Sequence, residues 1–395
     1  MKALVVGGGI GGLACGIALA LRGWRVSVLE QAPALTEIGA GLQISPNGFK
    51  VLQALGVTKG MQATLFEPEA MEMRMGRSGR SVFRLPLKGY AKNRWGAPFI
   101  HIHRADLVAA LQTRLLELQA DAIETGCHVE SYTQTADSAT LTLADGSTRA
   151  GDIAIGADGL HSVIRAQMLG PDQPRYTGNI AWRAVVPVTA LGDHVPPPSA
   201  CIWVGDKKHA VTTRLRAGAL VNFVGMVETE ERARESWDAT GKKTQAQADF
   251  ADWAPEICTV IAKAQTLHRW ALFDRAPLPR WHDGRIALLG DAAHPMLPSM
   301  AQGAVQALED AWVLAAKLAQ GNTPDAAFST YFDERIERTA RVQKGSATNA
   351  ALFHKATTLG ALAFYGPVGI AARLRPDAFH ARQDWVYHCD VTASG

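Results

Sequence analysis

The chain has 395 residues, more than one compact core usually holds, so two closely joined domains are expected. Its composition, 47% hydrophobic and 19% charged, excludes a low-complexity or disordered chain. A formal charge of +3 gives no ground for nucleic acid or an anionic membrane as partner, and five scattered cysteines (Cys15, Cys127, Cys201, Cys258, Cys389) lack zinc or redox spacing, so reduced thiols in a cytoplasmic protein are expected.

Residues 2–6 read as a short buried strand that stops at Gly7. Gly7-Gly8-Gly9-Ile10-Gly11-Gly12 follows, then an apolar helix through Leu21, Gly23 as its stop, and an alternating strand that closes on Glu30. The stretch 3–21 superficially resembles a signal peptide, but its glycines have a better explanation. Gly7 permits a tight turn, Gly9 lets backbone approach a pyrophosphate, and Gly12 lets the helix pack closely on the strand. The helix start offers free N–H groups and a positive dipole end to phosphates. Glu30 can accept hydrogen bonds from ribose hydroxyls. An acid at that position disfavours a 2′-phosphate, so NADP is the poorest candidate here, while FAD and NAD both remain open.

Short strand-like runs such as Met71-Glu72-Met73-Arg74-Met75 occupy 70–90. Arg104 then precedes a helix over 107–118, placed either to reach a phosphate or flavin edge or to pair with Asp106 at the surface. Strands over 140–143 and 153–155, joined by the Asp145-Gly146 turn signal, lead into Gly156-Ala157-Asp158-Gly159 and on to Ser162 and Arg165. Asp158 therefore sits at the carboxyl end of a sheet strand, where ligands collect in open α/β folds; a turn merely capped by Asp158 is the plainer alternative. Between 175 and 266 the texture becomes β, with runs at 180–188, 200–204, 210–215 and 220–227 and a hairpin signal at Arg216-Ala217-Gly218-Ala219.

A last strand over 285–289 ends in Gly290-Asp291, followed by His294-Pro295. Asp291 can take hydrogen bonds from a sugar-like chain, and a helix over 304–319 begins near Gly303-Ala304, where its N–H groups can face an electron-rich ring edge. Residues 356–372 are apolar, but Gly366-Pro367 interrupts them and the run is short for a membrane span; packed C-terminal helices that suit a dimer contact are expected. His294 reads as a structural histidine, and His101, His103 and His209 have no partner recognisable in sequence, so no metal site is expected. The elements describe an α/β chain: a Rossmann-type dinucleotide-binding domain in three parts (1–69, 91–175, 269–350), an inserted, mostly antiparallel sheet (70–90 and 176–268), and C-terminal helices (351–395).

With the glycine fingerprint and Glu30, Asp158-Gly159 with Ser162 and Arg165, and Gly290-Asp291 with His294-Pro295 in that order, the sequence resembles the single-component FAD-dependent aromatic hydroxylases. This is the family of salicylate hydroxylase, 3-hydroxybenzoate 6-hydroxylase and 6-hydroxynicotinate 3-monooxygenase, and the resemblance covers nearly the whole chain. It implies FAD as cofactor, with NADH or NADPH as a transient co-substrate that has no glycine fingerprint of its own. It further implies that Glu30 holds the adenosine ribose, Arg104 the flavin's phosphate or ribityl region, and Asp291 the ribityl hydroxyls. The Asp158 segment would serve both FAD and the visiting nicotinamide, and Pro298 would border the isoalloxazine. The implied reaction is hydroxylation by dioxygen of a small phenolic or carboxylated aromatic or heteroaromatic ring through a C4a-hydroperoxyflavin.

No catalytic base is identifiable in the sequence. Strand alternation groups Val211, Thr213 and Leu215 on one face and Thr212, Arg214 and Arg216 on the other. If the apolar face roofs the pocket, Thr213 and Ser299 stand where relatives carry larger residues, Arg214 lies on a solvated face, and Trp203, Asn222 and Met226 join the lining. An epoxidase or tailoring oxygenase acting on a non-aromatic substrate, a flavin reductase, and a non-catalytic flavoprotein stay open as alternatives. A monomer or homodimer is expected.

Overall fold

Four consecutive apolar residues, Ala3 to Val6, have no polar face to show to water, and they form the middle strand of a sheet covered on both sides. The structure is a computed structural model that describes residues 1–35, 41–172, 174–230, 241–354 and 358–393. Lys2–Val6 pairs in parallel with Arg25–Glu30 on one side and Ile153–Gly156 on the other. Ile123–Thr125 extends the first side and Ile286–Leu288 the second, with the short His282–Asp283 antiparallel at the edge. The five parallel strands thus run 3-2-1-4-5 in space, and the order reverses between Lys2–Val6 and Ile153–Gly156, the crevice where open α/β sheets take ligands.

Helix Ile10–Ala20 is buried almost throughout and packs on helix Gly303–Leu318; a Cβ at Gly11 would lie 3.3 Å from that of Ala307, so the two helices meet at a position where only a small residue fits. The stretch that superficially resembled a signal peptide is therefore the centre of the fold. The Asp145-Gly146 turn does not connect the two strands expected of it. It closes a hairpin between Ala139–Leu143 and Thr148–Gly151, which with Val129–Gln134 makes a separate three-stranded sheet, while Ile153–Gly156 belongs to the central one.

A seven-stranded sheet runs in the order His268–Asp274, Arg175–Pro187, Leu220–Glu228, Lys208–Leu215, Ala200–Gly205, Ala70–Met75, Ser81–Pro86. All pairs are antiparallel except Ala200–Gly205 with Ala70–Met75. The hairpin at 216–219 bends through positive φ at Arg216, Ala217 and Gly218. One face of this sheet buries Trp182, Trp203, Phe223 and Ala210 against the helices Lys243–Asp249 and Pro255–Lys263. The opposite face looks toward the dinucleotide side and toward the long helix Pro324–Phe353, which starts on a Thr323 cap. The two faces follow from alternation along the strands, which pair in unbroken register from Ala200 through Glu228.

The C-terminal apolar run is one helix, Thr358–Leu374, which continues through Pro367 rather than breaking there, and it packs on Ser81–Pro86; residues 356 and 357 of that run lie outside the described residues. Proline inside a helix forfeits one backbone hydrogen bond, a cost that packing against the strand offsets. Among the described residues no helix is long and apolar enough to cross a membrane.

Candidate active site

The glycine turn closes on itself so tightly that a side chain on Gly12 would put its Cβ 1.9 Å from the Gly7 carbonyl oxygen. Gly7 itself has φ +105°, a conformation that L side chains rarely adopt. By contrast, a Cβ on Gly9 would meet nothing within 4 Å, so this stretch of backbone faces open space. Helix Ile10–Ala20 begins there with no side-chain cap and no acid in its first turn among the described residues. Its first N–H groups and dipole therefore face the crevice, an arrangement suited to a pyrophosphate. Glu30 is oriented by two backbone donors, Gly8 N–H to Oε2 at 2.7 Å and Ala32 N–H to Oε1 at 2.9 Å, which leaves lone pairs on both oxygens for ribose hydroxyls.

Across the crevice Asp158 Oδ2 accepts from the N–H groups of Val163 and Ile164, fixing the start of helix Val163–Leu169. Its Oδ1 is buried with no hydrogen-bond partner among the described residues, and burial raises the carboxyl pKa. Arg165 ties this turn to the third motif: its guanidinium donates to the carbonyls of Leu160 at 2.6 Å and Ala292 at 3.1 Å, and to Asp172 at 3.1 Å. Asp291 opens into the cleft yet is walled in by protein, which raises its pKa against the opposing pull of His294, Arg104 and Arg165.

Arg104 is the first residue of helix Arg104–Leu118, which begins three positions earlier than the sequence suggested because His103 Nδ1 caps the Ala105 N–H. It faces Asp291 and also Arg183, whose guanidinium is pushed down to about 10 by burial first and by Arg104 second. Asp106 carries Arg216 on both its oxygens, at 2.9 and 3.1 Å. Arg183 stacks 4.6 Å over the Trp270 ring, and with Leu160, Asp291, Pro295 and Pro298 these two line a narrow cleft.

Behind the Gly290-Asp291 motif lies a buried ion network. His294 Nε2 meets Asp310 Oδ2 at 2.5 Å, and Asp310 also accepts from the Gly290 N–H at 3.1 Å. Arg335, 1% exposed, bonds Asp310 at 2.8 Å and Glu309 at 2.6 Å, and Arg338 grips both oxygens of Glu309 at 2.8 Å each. The expected structural role of His294 has a concrete partner here.

Pro298 belongs to two spaces at once: the narrow cleft above and a cavity of about 600 Å³ beneath the seven-stranded sheet. Ser299, Met226, Ile202, Val211 and His209 line this cavity, and Arg341 and Lys344 from the long helix stand at it. Ser299 Oγ is buried without a partner among the described residues. Helix Gly303–Leu318 starts beside it, again without a side-chain cap.

Three of the expected pocket residues sit differently. Trp203 is fully buried in the core on the far face of the sheet, its indole N–H donating to Thr212 at 2.9 Å, because alternation along Ala200–Gly205 gives the cavity Ala200 and Ile202 instead. Thr213 and Asn222 lie on the cavity side but beneath other backbone: Asn222 holds the Gly41 N–H at 3.0 Å and the Thr213 hydroxyl at 3.2 Å. Arg214 points away as expected, yet it is buried, donating to the Pro196 carbonyl at 2.6 Å, rather than solvated. His209, which had no visible partner in sequence, bonds His354 at 2.6 Å, and His354 bonds Glu228 at 2.7 Å. No local signal could have joined residues 126 and 145 positions apart.

The FAD binding domain family model matches residues 1–346. The chain is 36% identical to 3-hydroxybenzoate 6-hydroxylase of Polaromonas naphthalenivorans, covering 99% of this chain and 96% of that one. It is 35% identical to 3-amino-4-hydroxybenzoate 2-monooxygenase of Streptomyces platensis, covering 89% and 88%. Among solved structures, Klebsiella pneumoniae HpxO complexed with FAD and uric acid superposes with a TM-score of 0.83 at 31% identity, covering 95% of this chain and 94% of that one.

Proposed function

We propose that this chain, which belongs to the FAD binding domain family and is a FAD-dependent monooxygenase of the aromatic hydroxylase type, hydroxylates a small phenolic ring that carries an anionic group. The observation that carries this reading is the cavity of about 600 Å³ that touches the cofactor cleft at Pro298. Its walls combine apolar side chains such as Met71, Met73, Ile202, Val211 and Met226 with polar ones such as Ser299, Arg341 and Lys344, which suits a flat ring that carries polar substituents. Arg341 and Lys344 offer the charge for a carboxylate.

FAD, once reduced by NADH or NADPH, supplies the activated oxygen atom from dioxygen. The rest is the protein's work. Gly9 backbone and the start of helix Ile10–Ala20 hold the pyrophosphate, Glu30 the adenosine ribose, Asp291 and Arg104 the ribityl and phosphate region, and the start of helix Gly303–Leu318 the ring edge. Pro298 and Ser299 set the border between cofactor and substrate, and Met226 closes the cavity roof, excluding water from the reacting atoms. A cytoplasmic monomer or homodimer is the setting we propose.

The test is a panel of hydroxybenzoates, aminohydroxybenzoates and hydroxylated N-heterocycles, scored by ligand-stimulated NADH and NADPH oxidation. Products from heavy-isotope dioxygen should carry one labelled oxygen on the ring. If no phenolic acid stimulates oxidation while a non-aromatic alkene does and gains the label, the reading is wrong.

A further inference from the structure

We infer that the substrate's reacting ring carries a hydrocarbon arm, which lies along an apolar row of the sheet that runs from beside Pro298 to Phe83. This rests on the phenolic reading above and adds to it the part of the substrate that does not react.

The row is a product of strand register. Val211 stands opposite Ile202, Ile202 opposite Met73, and Met73 opposite Phe83, so four neighbouring strands each present one apolar side chain to the cavity. Neighbouring strands lie about 4.8 Å apart, which makes three spacings about 14 Å. Ala200, Met71 and Leu85, also in register, form a second row beside the first. No side chain in either row carries nitrogen or oxygen. On the other face of two of these strands Trp203 and Thr212 are fully buried, whereas Val211, Ile202, Met71 and Phe83 are only half-buried. Apolar surface is therefore left open on the cavity side.

Both ends of the rows are defined. At one end Met226, on the strand next to that of Val211, shares an apolar cluster with Leu297, and Met71 shares another with Met300, so the sheet meets the turn on either side of Pro298 and Ser299. At the other end the Phe83 ring stands 5.9 Å from that of Phe379. Helix Thr358–Leu374 covers this end, where a Cβ on Gly369 would come within 2.6 Å of the Val82 carbonyl oxygen. Opposite the sheet, helix Pro324–Phe353 lines the cavity from Gly345, where a Cβ would meet Met300 Sδ, to Phe353, eight residues or about 12 Å further on.

Charge and apolar surface are separated in this space. Arg341 and Lys344 are exposed and stand on the helix side, with Arg341 3.9 Å over the Trp385 ring. A phenolic ring between Pro298 and these cations reaches only the near part of the rows. The remaining apolar surface would face water, in a cavity of about 600 Å³ where one water takes about 30 Å³. Sites of about 300–1,000 Å³ hold drug-sized ligands, larger than one substituted ring. A hydrocarbon arm fills the space and releases that water, and it needs no directed bond. It also sets orientation. A ring held by its anion alone can turn about that anchor; a second anchor at Phe83 stops the turning and selects the ring carbon presented at the Pro298 border.

The test titrates FAD-loaded protein with 3-hydroxybenzoate and with derivatives that carry an unbranched methyl, propyl or pentyl group at each remaining ring carbon in turn, with flavin absorbance reporting binding. At one ring position the dissociation constant should fall about fourfold per methylene, the equivalent of about 0.8 kcal/mol. At the other positions the arm should leave binding unchanged or weaken it. Phe83→Asp should bring the ratio of pentyl to parent affinity down to about one, Phe83→Ser should cut it at least about threefold, and Phe83→Leu should keep most of it. A parent compound that binds with no gain at any ring position would overturn the arm and leave the phenolic reading standing. A gain that survives both Phe83→Asp and Phe83→Ser would place the arm elsewhere and overturn the inference equally. Binding of no hydroxybenzoate, bare or alkylated, would instead strike the phenolic reading, and the arm with it.

Discussion

Replacing Arg335 by Met removes the cation that Glu309 and Asp310 share in a fully enclosed site, while keeping a side chain of similar length. Arg335, Glu309 and Asp310 are each 1% exposed or less, so water cannot take over the lost bonds. Breaking a buried pair by deleting one partner costs about 3–5 kcal/mol, because the other charge stays buried. For 395 residues unfolding with about 2.1 cal/mol/K each, the unfolding entropy is about 0.8 kcal/mol/K, so the melting temperature should fall by about 4–6 °C. Arg338 still grips Glu309, so the lower end of that range is expected if Arg338 takes up the slack. Thermal melts followed by near-ultraviolet circular dichroism, at low and at high salt, measure the effect; salt should change it little, since the pair is buried. Adding Glu309→Gln and Asp310→Asn to Arg335→Met should recover part of the loss. A single variant that melts within about 1 °C of wild type would refute the reasoning, because it would mean that the carboxylates neutralise at little cost.

The same network gives a pH dependence: the folded protein holds the carboxyls of Glu309 and Asp310 below their ordinary values, chiefly through Arg335 and His294 acting against burial. Their stabilisation is present above the unfolded carboxylate range and is lost as pH falls through the folded values, so unfolding free energy should drop in acid with a slope that Arg335→Met flattens. Gly12→Ala should abolish FAD retention or folding, since the new Cβ would meet the Gly7 carbonyl at 1.9 Å; a yellow, stable variant would contradict the turn. Asp291→Ala should weaken FAD binding without unfolding the chain, checked by flavin fluorescence titration and by melting of the apoprotein; unchanged affinity would remove Asp291 from the cofactor site. Trp203→Phe should lower stability, because its indole N–H leaves Thr212 and its volume leaves the core, while preserving substrate preference; a changed substrate profile would return Trp203 to the pocket.

The elements that carry the proposed cofactor residues were legible because each is local. Turn, helix start and acid at Gly7, Ile10 and Glu30 fall within one strand-helix-strand unit, and Asp158 and Asp291 each close a strand whose apolar run marks it. The hairpin strands over 208–228 were readable from alternation, and so was the face that Thr213 shares with Val211. Alternation has no absolute phase between strands, however. Which face of Ala200–Gly205 meets the cavity depends on its pairing of Cys201 with Thr212 and Trp203 with Ala210, and that register brings Trp203 to the core. Asp145-Gly146 marked a turn correctly but not its partner strand, since Thr148–Gly151 is short and polar. The His209, His354 and Glu228 contact is a tertiary product of strand ends and a helix end, with no trace in local spacing.

Arg165 bonds the loop after one central strand to the loop after another, at Leu160 and Ala292, while Asp172 holds it in turn. A molecule entering between those loops meets walls already set at their final spacing. The entropy of ordering them is spent when the chain folds, not when the dinucleotide arrives, and affinity gains by that amount. The loops that carry Asp158 and Asp291 are thus tied to one another through a single guanidinium, while on the other side Pro298 is a wall that the cleft and the cavity share.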